Sequence, residues 1–492
     1  MPPPGYLTAA GIEACIQWLA NTYPQICQLL PLPEPSVEGR GIHMLKIANG
    51  AAPGRRGVLL VGGVHARELV PPDCLASFAF KLCAAYSNAT DLIFGPQVYS
   101  NLDVRLVVDV LDTFILPLAN PDGRTYVQAV GGDPWWRKNR NPNPALPCMG
   151  VDINRNYDFL WSSGIGTSSY ACSEVFKGAG AFSEAETRNV RSVLDNHPHI
   201  VSMMDVHSYS QLVLHPWGDD DNQSTDPSQN FLNPAYNGVR GVPGDMAYRE
   251  YIPADDLNWF ATTGGKVRDA IAAVRGTVYT VEQGIRLYPT TGTANDYGYC
   301  RHFADTSKRR VYSYTLETGL EFQPTYAEAL NIISEVSSGL FQLCLSSLCV
   351  VESVVAGTSL VAALEDLRAF RREMESTVAG RSYVRLLDRH SVELLRLVAA
   401  DEALRARALA LLEAVTEVVQ TRHRPQPRSV DPLVVDAAED LLAELQRAGS
   451  PELARVVADL RPRMAYFKGK SVKEGLEAAS PIDLPAVPAA AR

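Results

Sequence analysis

The chain has 492 residues, 46% of them hydrophobic and 20% charged, with a formal net charge of −10. That length exceeds the usual span of one domain, and the composition is that of a globular protein able to bury a sizeable core. The acidic balance argues against general nucleic-acid binding, and no apolar run approaches the roughly 20 residues of a membrane span, so neither nucleic acid nor membrane is expected as a partner.

In chain order, residues 11–22 predict an amphipathic helix, a proline-rich turn follows, and 43–47 predict a strand. The apolar run at 58–61 breaks at Gly62-Gly63 and delivers His65 and Glu68 before Pro71-Pro72-Asp73 opens a helix running to Tyr86. Residues 104–110 and 113–118 predict strands, the second entering Asn120-Pro-Asp-Gly123, a turn signal. Trp135 to Pro142 mixes aromatic and basic residues in a way that suggests side chains turned inward, and Arg137 and Arg140 read equally well as surface charges. Ser183 predicts the N-cap of a helix over 183–197, and 200–206 predict a strand ending at His207. Residues 219–257 read as a long acidic loop without EF-hand spacing. Strands are expected at 278–281 and 311–316, the latter ending at Glu317, and a helix at 326–345 closes the first domain.

Beyond Gly357 the composition turns to Leu, Ala, Arg and Glu at helical spacing, with Leu360, Leu364, Leu367, Phe370, Met374 and Val378 on one apolar face. Asp401, Asp431-Pro432 and Ser450-Pro451 predict helix starts, and Gly449 a stop. The expected fold class is therefore α/β, a mixed open sheet flanked by helices over residues 5–345. A small all-α bundle over 350–466 and a disordered tail from 467 to 492 follow it. The bundle has no evident chemistry of its own and is read as stabilising, or as binding another protein or the catalytic domain.

Nine cysteines do not make a disulfide scaffold. Cys148 and Cys172 flank residues 151–157 and are the candidates for a bridge that would favour an oxidising compartment. The amino terminus as written has no basic start or apolar core, which predicts a cytoplasmic protein; secretion is the alternative if that bridge forms and the terminus is trimmed.

His65, Glu68 and His207, each beside a strand end, make a two-histidine, one-carboxylate set of the kind that holds zinc with one position open to water. Such a centre suits hydrolysis. His390-Ser391-Val392-Glu393 repeats the His-x-x-Glu spacing inside a charged helical stretch and reads as a solvated helix face.

With these residues stand Glu38-Gly39-Arg40, Asn120-Pro-Asp-Gly123, Trp136-Arg-Lys138, Val151-Asp-Ile-Asn-Arg-Asn156, His207-Ser-Tyr-Ser-Gln211, Tyr288 and Glu317. In that order they resemble the M14 family of zinc carboxypeptidases, of the carboxypeptidase A/B type, from about Tyr6 to Leu345. The resemblance implies one zinc per chain, peptide or protein carboxyl termini as substrate, Glu317 as general base and Arg137 as the electrophile beside the metal. It further implies that Asn154 and Arg155 hold the terminal carboxylate, that Tyr288 covers the bound residue, and that Arg67, Ser208 and Tyr209 line the next subsites. Asn295 falls where the terminal side chain is read, which favours neutral terminal residues, apolar or aromatic. Glu321 is a rival base. A zinc amidohydrolase acting on small acylated substrates and an inactive carboxypeptidase-like binding protein are the alternative functions.

Overall fold

The computed structural model describes residues 4–51, 53–143 and 146–482. The chain divides into two compact units, residues 1–50 with 57–347 and residues 51–56 with 348–492. No helix among the described residues is long and apolar enough to cross a membrane.

The first unit is built on an eight-stranded mixed sheet. Its strands are β1 (Cys27–Pro31), β2 (His43–Ile47), β3 (Arg56–Gly62), β6 (Leu111–Leu116), β7 (Ile200–His207), β8 (Leu212–His215), β11 (Thr280–Gln283) and β12 (Tyr312–Glu317), in the spatial order β1-β2-β6-β3-β7-β12-β8-β11. The short pairs β4 (Leu92–Phe94) with β5 (Gln97–Tyr99) and β9 (Asn222–Gln223) with β10 (Glu250–Tyr251) lie outside it. β3 runs parallel to β7 and β7 parallel to β12, whereas β12 and β8 are antiparallel. Every residue of β7 is buried, as expected of a central strand covered on both faces.

Around the sheet stand α1 (Ala9–Thr22), α2 (Val70–Ser87), α3 (Asn101–Val110), α4 (Pro121–Gln128), α5 (Ala185–Asn196), α6 (Ala254–Arg275), α7 (Ala294–Ala304) and α8 (Tyr326–Ser346). α8 packs against both α2 and α6. Gly63 turns the chain from β3 toward the first histidine with φ +64, and a Cβ there would lie 2.7 Å from the Leu118 side chain. Only glycine meets both conditions without strain.

Several expectations are corrected. Residues 104–110 are helical, not a strand: Ser100 and Asp103 form a capping box, and Val104, Val107 and Val108 bury one helical face. Asn120-Pro-Asp-Gly123 opens α4 instead of ending in a turn, with Asn120 accepting from the Gly123 amide. Ser183 is not the cap of α5; Glu184 takes that position while the Ser183 hydroxyl donates to its carboxylate. Strands β1 and β8 and helices α6 and α7 had no counterpart in the sequence reading. α6 begins inside the segment taken for a loop, at 254, and carries Gly264-Gly265, which breaks any simple pattern. Gly264 is needed for close packing, since a Cβ there would lie 2.7 Å from Val281.

The second unit contains α9 (Val350–Val355), α10 (Leu364–Glu375), α11 (Val378–Ala400), α12 (Glu402–Val419), α13 (Pro432–Ala448), α14 (Pro451–Leu460) and α15 (Val472–Ala478). Residues 51–56 belong to it, and within it Arg56 pairs with Glu352 at 2.9 Å. Asp401, Asp431 and Ser450 cap α12, α13 and α14 as expected. The apolar face expected across 360–378 is broken between two helices, and Val378 opens the second of them 64% exposed. His390 is buried, so the His390–Glu393 face is not simply solvated. The expected disordered tail is helical over Val472–Ala478, opened by a Ser471–Glu474 capping box, and its end from 483 lies outside the described residues.

Candidate active site

The loop after β3 and the end of β7 bring His65, Glu68 and His207 together, all buried. His65 Nδ1 lies 2.7 Å from Glu68 Oε1, His207 Nδ1 lies 3.0 Å from Glu68 Oε2, and the two Nδ1 atoms are 3.1 Å apart. Donors bound to zinc at 2.0–2.2 Å in a tetrahedron stand about 3.3 Å from each other, so three converging donor atoms at these spacings fit that ion. Burial would raise the Glu68 pKa, but the two imidazoles outweigh it and hold the carboxyl well below its usual range.

The remaining ring nitrogens face carboxylates. His65 Nε2 is 3.1 Å from Asp152 Oδ1, and His207 Nε2 is 2.8 Å from Asp205 Oδ2, close as an ion pair but not aligned as a hydrogen bond. Carboxylates in this position fix the tautomer of a ligating histidine. Neither aspartate was assigned a role from the sequence. Asp152 lies inside the Val151–Asn156 motif, where a carboxylate among the site residues was a usable signal; Asp205 stood in an apolar strand and gave only its alternation with His207.

Glu317 ends β12 directly opposite His207 in the parallel register. Burial, with a smaller contribution from the Glu68 charge and opposed by His207, pushes its carboxyl up to about 8. Glu321 is exposed on the loop beyond, so the position beside the three donors belongs to Glu317. Arg137 is 8% exposed and grips Asp152 through Nε and Nη2, each at 3.0 Å. Its loop is fixed by Lys138 Nζ donating to the Ala171 carbonyl at 2.7 Å and by the Cys148–Cys172 disulfide. Trp135 of this loop is 57% exposed, contrary to the inward orientation expected of it, and Arg140 stacks over Tyr126 at 3.8 Å.

Asn154 and Arg155 sit on a short 3₁₀ turn capped by Asp152, which accepts from the Asn154 amide. Asn154 Oδ1 accepts from the Ala294 amide at 2.8 Å, tying the turn to the start of α7. Arg155 is 2% exposed, donates to the carbonyls of Gly166 and Asn154, and reaches the Tyr288 hydroxyl at 3.4 Å. Tyr288 is 45% exposed, as a side chain that covers a site from outside would be. The Ser208 amide donates to Glu68 Oε2 at 3.1 Å. Arg67 stacks over Phe322 at 4.4 Å, and Tyr209 meets the same ring edge-on at 4.8 Å, so Phe322 joins this group without having been singled out in the sequence.

Asn295 is buried in the first turn of α7, where its carbonyl accepts from the Ser313 hydroxyl, and it is the next residue, Asp296, whose carboxyl lies against Gly218 beside Thr290. The acidic run beside it is tied elsewhere. Asp220 accepts from the Gly241 amide, Asp221 accepts from the Gly244 amide and pairs with Arg286 at 2.8 Å, and Asp219 is buried against Glu250. Asp296 accepts from the Thr293 hydroxyl, and burial pushes its carboxyl up to about 8. The arrangement combines three converging donors of the kind that hold a cation, a carboxyl beside them, a buried guanidinium close by and a second guanidinium under an exposed tyrosine.

Comparison with known proteins bears on the first unit. Carboxypeptidase B of Helicoverpa zea is 34% identical over 228 residues, covering 45% of this chain and 48% of that protein. A protein named inactive metallocarboxypeptidase ECM14 from Arthroderma otae is 32% identical over 194 residues, covering 37% of this chain and 30% of that protein. The matches thus span about half, or less, of these relatives. The structure of bovine thrombin-activatable fibrinolysis inhibitor in complex with tick carboxypeptidase inhibitor superposes with a TM-score of 0.54 at 22% identity, covering 70% of this chain and 97% of that one, a likeness of fold. The zinc carboxypeptidase family of M14 peptidases matches residues 12–336, two thirds of the chain, and the chain belongs to that family.

Proposed function

We propose that the protein is a zinc-dependent carboxypeptidase that removes single neutral residues, apolar or aromatic, from the carboxyl end of peptides or proteins. The observation that carries this reading is the convergence of His65 Nδ1, Glu68 and His207 Nδ1 with Glu317 in register beside them. One zinc per chain is expected at His65, Glu68 and His207. Zinc at such a site supplies a Lewis acid and an acidified water.

The protein's own residues do the rest. Glu317 accepts a proton from the attacking water and returns it to the leaving amine, a task favoured by a carboxyl whose pKa is tuned upward. Arg137, held by Asp152, presents donors to the oxyanion that develops on the scissile carbonyl. Arg155 with Asn154 binds the terminal carboxylate, because a planar guanidinium fork matches that group, and Tyr288 covers it. This pairing favours the reading over an amidohydrolase on small acylated substrates, which does not require such a group.

The preference for neutral ends follows from Asn295 and from the commitments of Asp220 and Asp221 to the Gly241 and Gly244 amides. A terminal ammonium or guanidinium entering there would lose its water without gaining an ionised partner, a cost of several kcal/mol. The Cys148–Cys172 bridge supports maturation in an oxidising compartment over the cytoplasm.

The test is zinc content by mass spectrometry together with kcat/KM on matched blocked dipeptides ending in Phe, Leu, Arg or Lys. One zinc per chain and faster release of Phe and Leu are expected. Faster release of Arg or Lys would reassign the pocket, and zinc without turnover on any peptide would favour an inactive binding protein.

A further inference from the structure

Each ligating histidine turns its second nitrogen to an aspartate, but the two aspartates are held differently. Asp152 is divided among His65, the Arg137 guanidinium and the Asn154 amide. Asp205 stands two residues before His207 on β7, so both side chains leave the same face of the strand. It has no exposed surface. Its Oδ2 is 2.8 Å from His207 Nε2, and neither oxygen has a hydrogen-bond partner among the described residues. The strands on either side place Val61 and Thr315 opposite it, and neither is a cationic partner. A carboxyl group buried with neither oxygen accepting a hydrogen bond is unfavourable, so a role in folding alone is a poor account of it.

His207 leaves little choice about where its proton sits. Nδ1 faces Glu68 at 3.0 Å and His65 Nδ1 at 3.1 Å and is the atom that converges with the other two donors and would hold the metal. Nε2 must then carry the hydrogen, and Asp205 is the acceptor within reach after a small rotation of the ring. We propose that Asp205 is a positioning residue for His207. It holds the proton on Nε2, keeps the Nδ1 lone pair on the metal side and makes the imidazole a stronger donor. The inference rests on the zinc reading above.

The test compares the full-length parent with Asp205→Asn and Asp205→Ser. Three quantities are read: the zinc dissociation constant by chelator competition, the visible spectrum of the cobalt-substituted protein, and the melting temperature of the metal-free protein. Zinc affinity is expected to fall about 10- to 100-fold in both variants. The cobalt bands are expected to shift, and the metal-free melting temperature to hold or rise. Affinities within twofold of the parent and an unchanged cobalt spectrum would overturn the inference while leaving the zinc reading intact. Metal-free melting temperatures that fall in both variants would assign Asp205 to folding and overturn it too. A parent that binds no zinc overturns both.

Discussion

The two units of the chain bury different kinds of side chain. The first encloses Glu68, Asp152, Arg155, Asp205 and His207, none more than 3% exposed, at strand ends and in the turns between them. The helical unit buries chiefly apolar positions, such as Val384, Leu395 and Val398 of α11; its buried carboxylate Glu352 is paired with Arg56 and Arg368, and others, such as Asp401 and Asp431, stand at helix starts facing solvent. Burying charge lowers stability unless each group is paired, so its concentration in one unit marks where the chemistry lies. The other unit is stabilised by amphipathic packing and caps.

The sharpest way to break this comparison is at Glu317. Glu317→Gln should retain zinc and lose turnover by about 10²- to 10⁴-fold, read as kcat with zinc measured on the same sample. Near-full activity would move the base elsewhere. Arg137→Ala should lower kcat by about 10²- to 10³-fold, the scale of a missing oxyanion donor. Because Arg137 also neutralises Asp152, a melting curve should accompany it.

Removing residues 350–492 should leave kcat/KM within a few-fold of the parent, since the site lies wholly within the first unit. Truncation also strips Arg56 of its Glu352 partner, so some loss of melting temperature is expected. A truncated chain that folds but is inactive would contradict the division.

A buried acid away from the cation site gives a smaller, pH-dependent effect. Burial, with the Glu184 charge adding to it, pushes Glu186 up to about 7, and its Oε1 has no partner. A carboxyl whose folded pKa is raised favours the folded state below its unfolded pKa, and that stability is lost as pH rises through the folded value. Glu186→Gln should therefore be more stable than the parent at pH 8, by about 3 kcal/mol, with the gap closing toward pH 4.5. A gap independent of pH would contradict it. The smallest effect is expected in the helical unit, where Asp401→Ala should cost about 1 kcal/mol through the lost cap and leave activity unchanged.

The site was more legible in the sequence than the elements that carry it. His65, Glu68, His207 and Glu317 follow apolar runs that read as strands whatever their tertiary surroundings. Asn295 and Asp296, by contrast, lie between the strands expected at 278–281 and 311–316 with no local pattern that marks an element, yet Thr293 caps them into α7. Val104 to Val110 is rich in β-branched residues and reads as a strand until the Ser100–Asp103 box is weighed against that propensity. The helical unit was legible where caps and prolines punctuate it. Its inclusion of residues 51–56 rests on tertiary pairing alone, which no local pattern announces.

The central claim is that a buried guanidinium, Arg155, holds the substrate's terminal carboxylate next to a base and a cation site. The most direct measurement is cleavage of one peptide in two forms, with a free carboxyl terminus and with a terminal amide, by the zinc-loaded protein, read by mass spectrometry. The account predicts stepwise loss of single residues from the free acid and at least about a hundredfold slower loss from the amide, because the charge-assisted bidentate contact is missing. Equal cleavage of both, or cuts within the peptide, would contradict it.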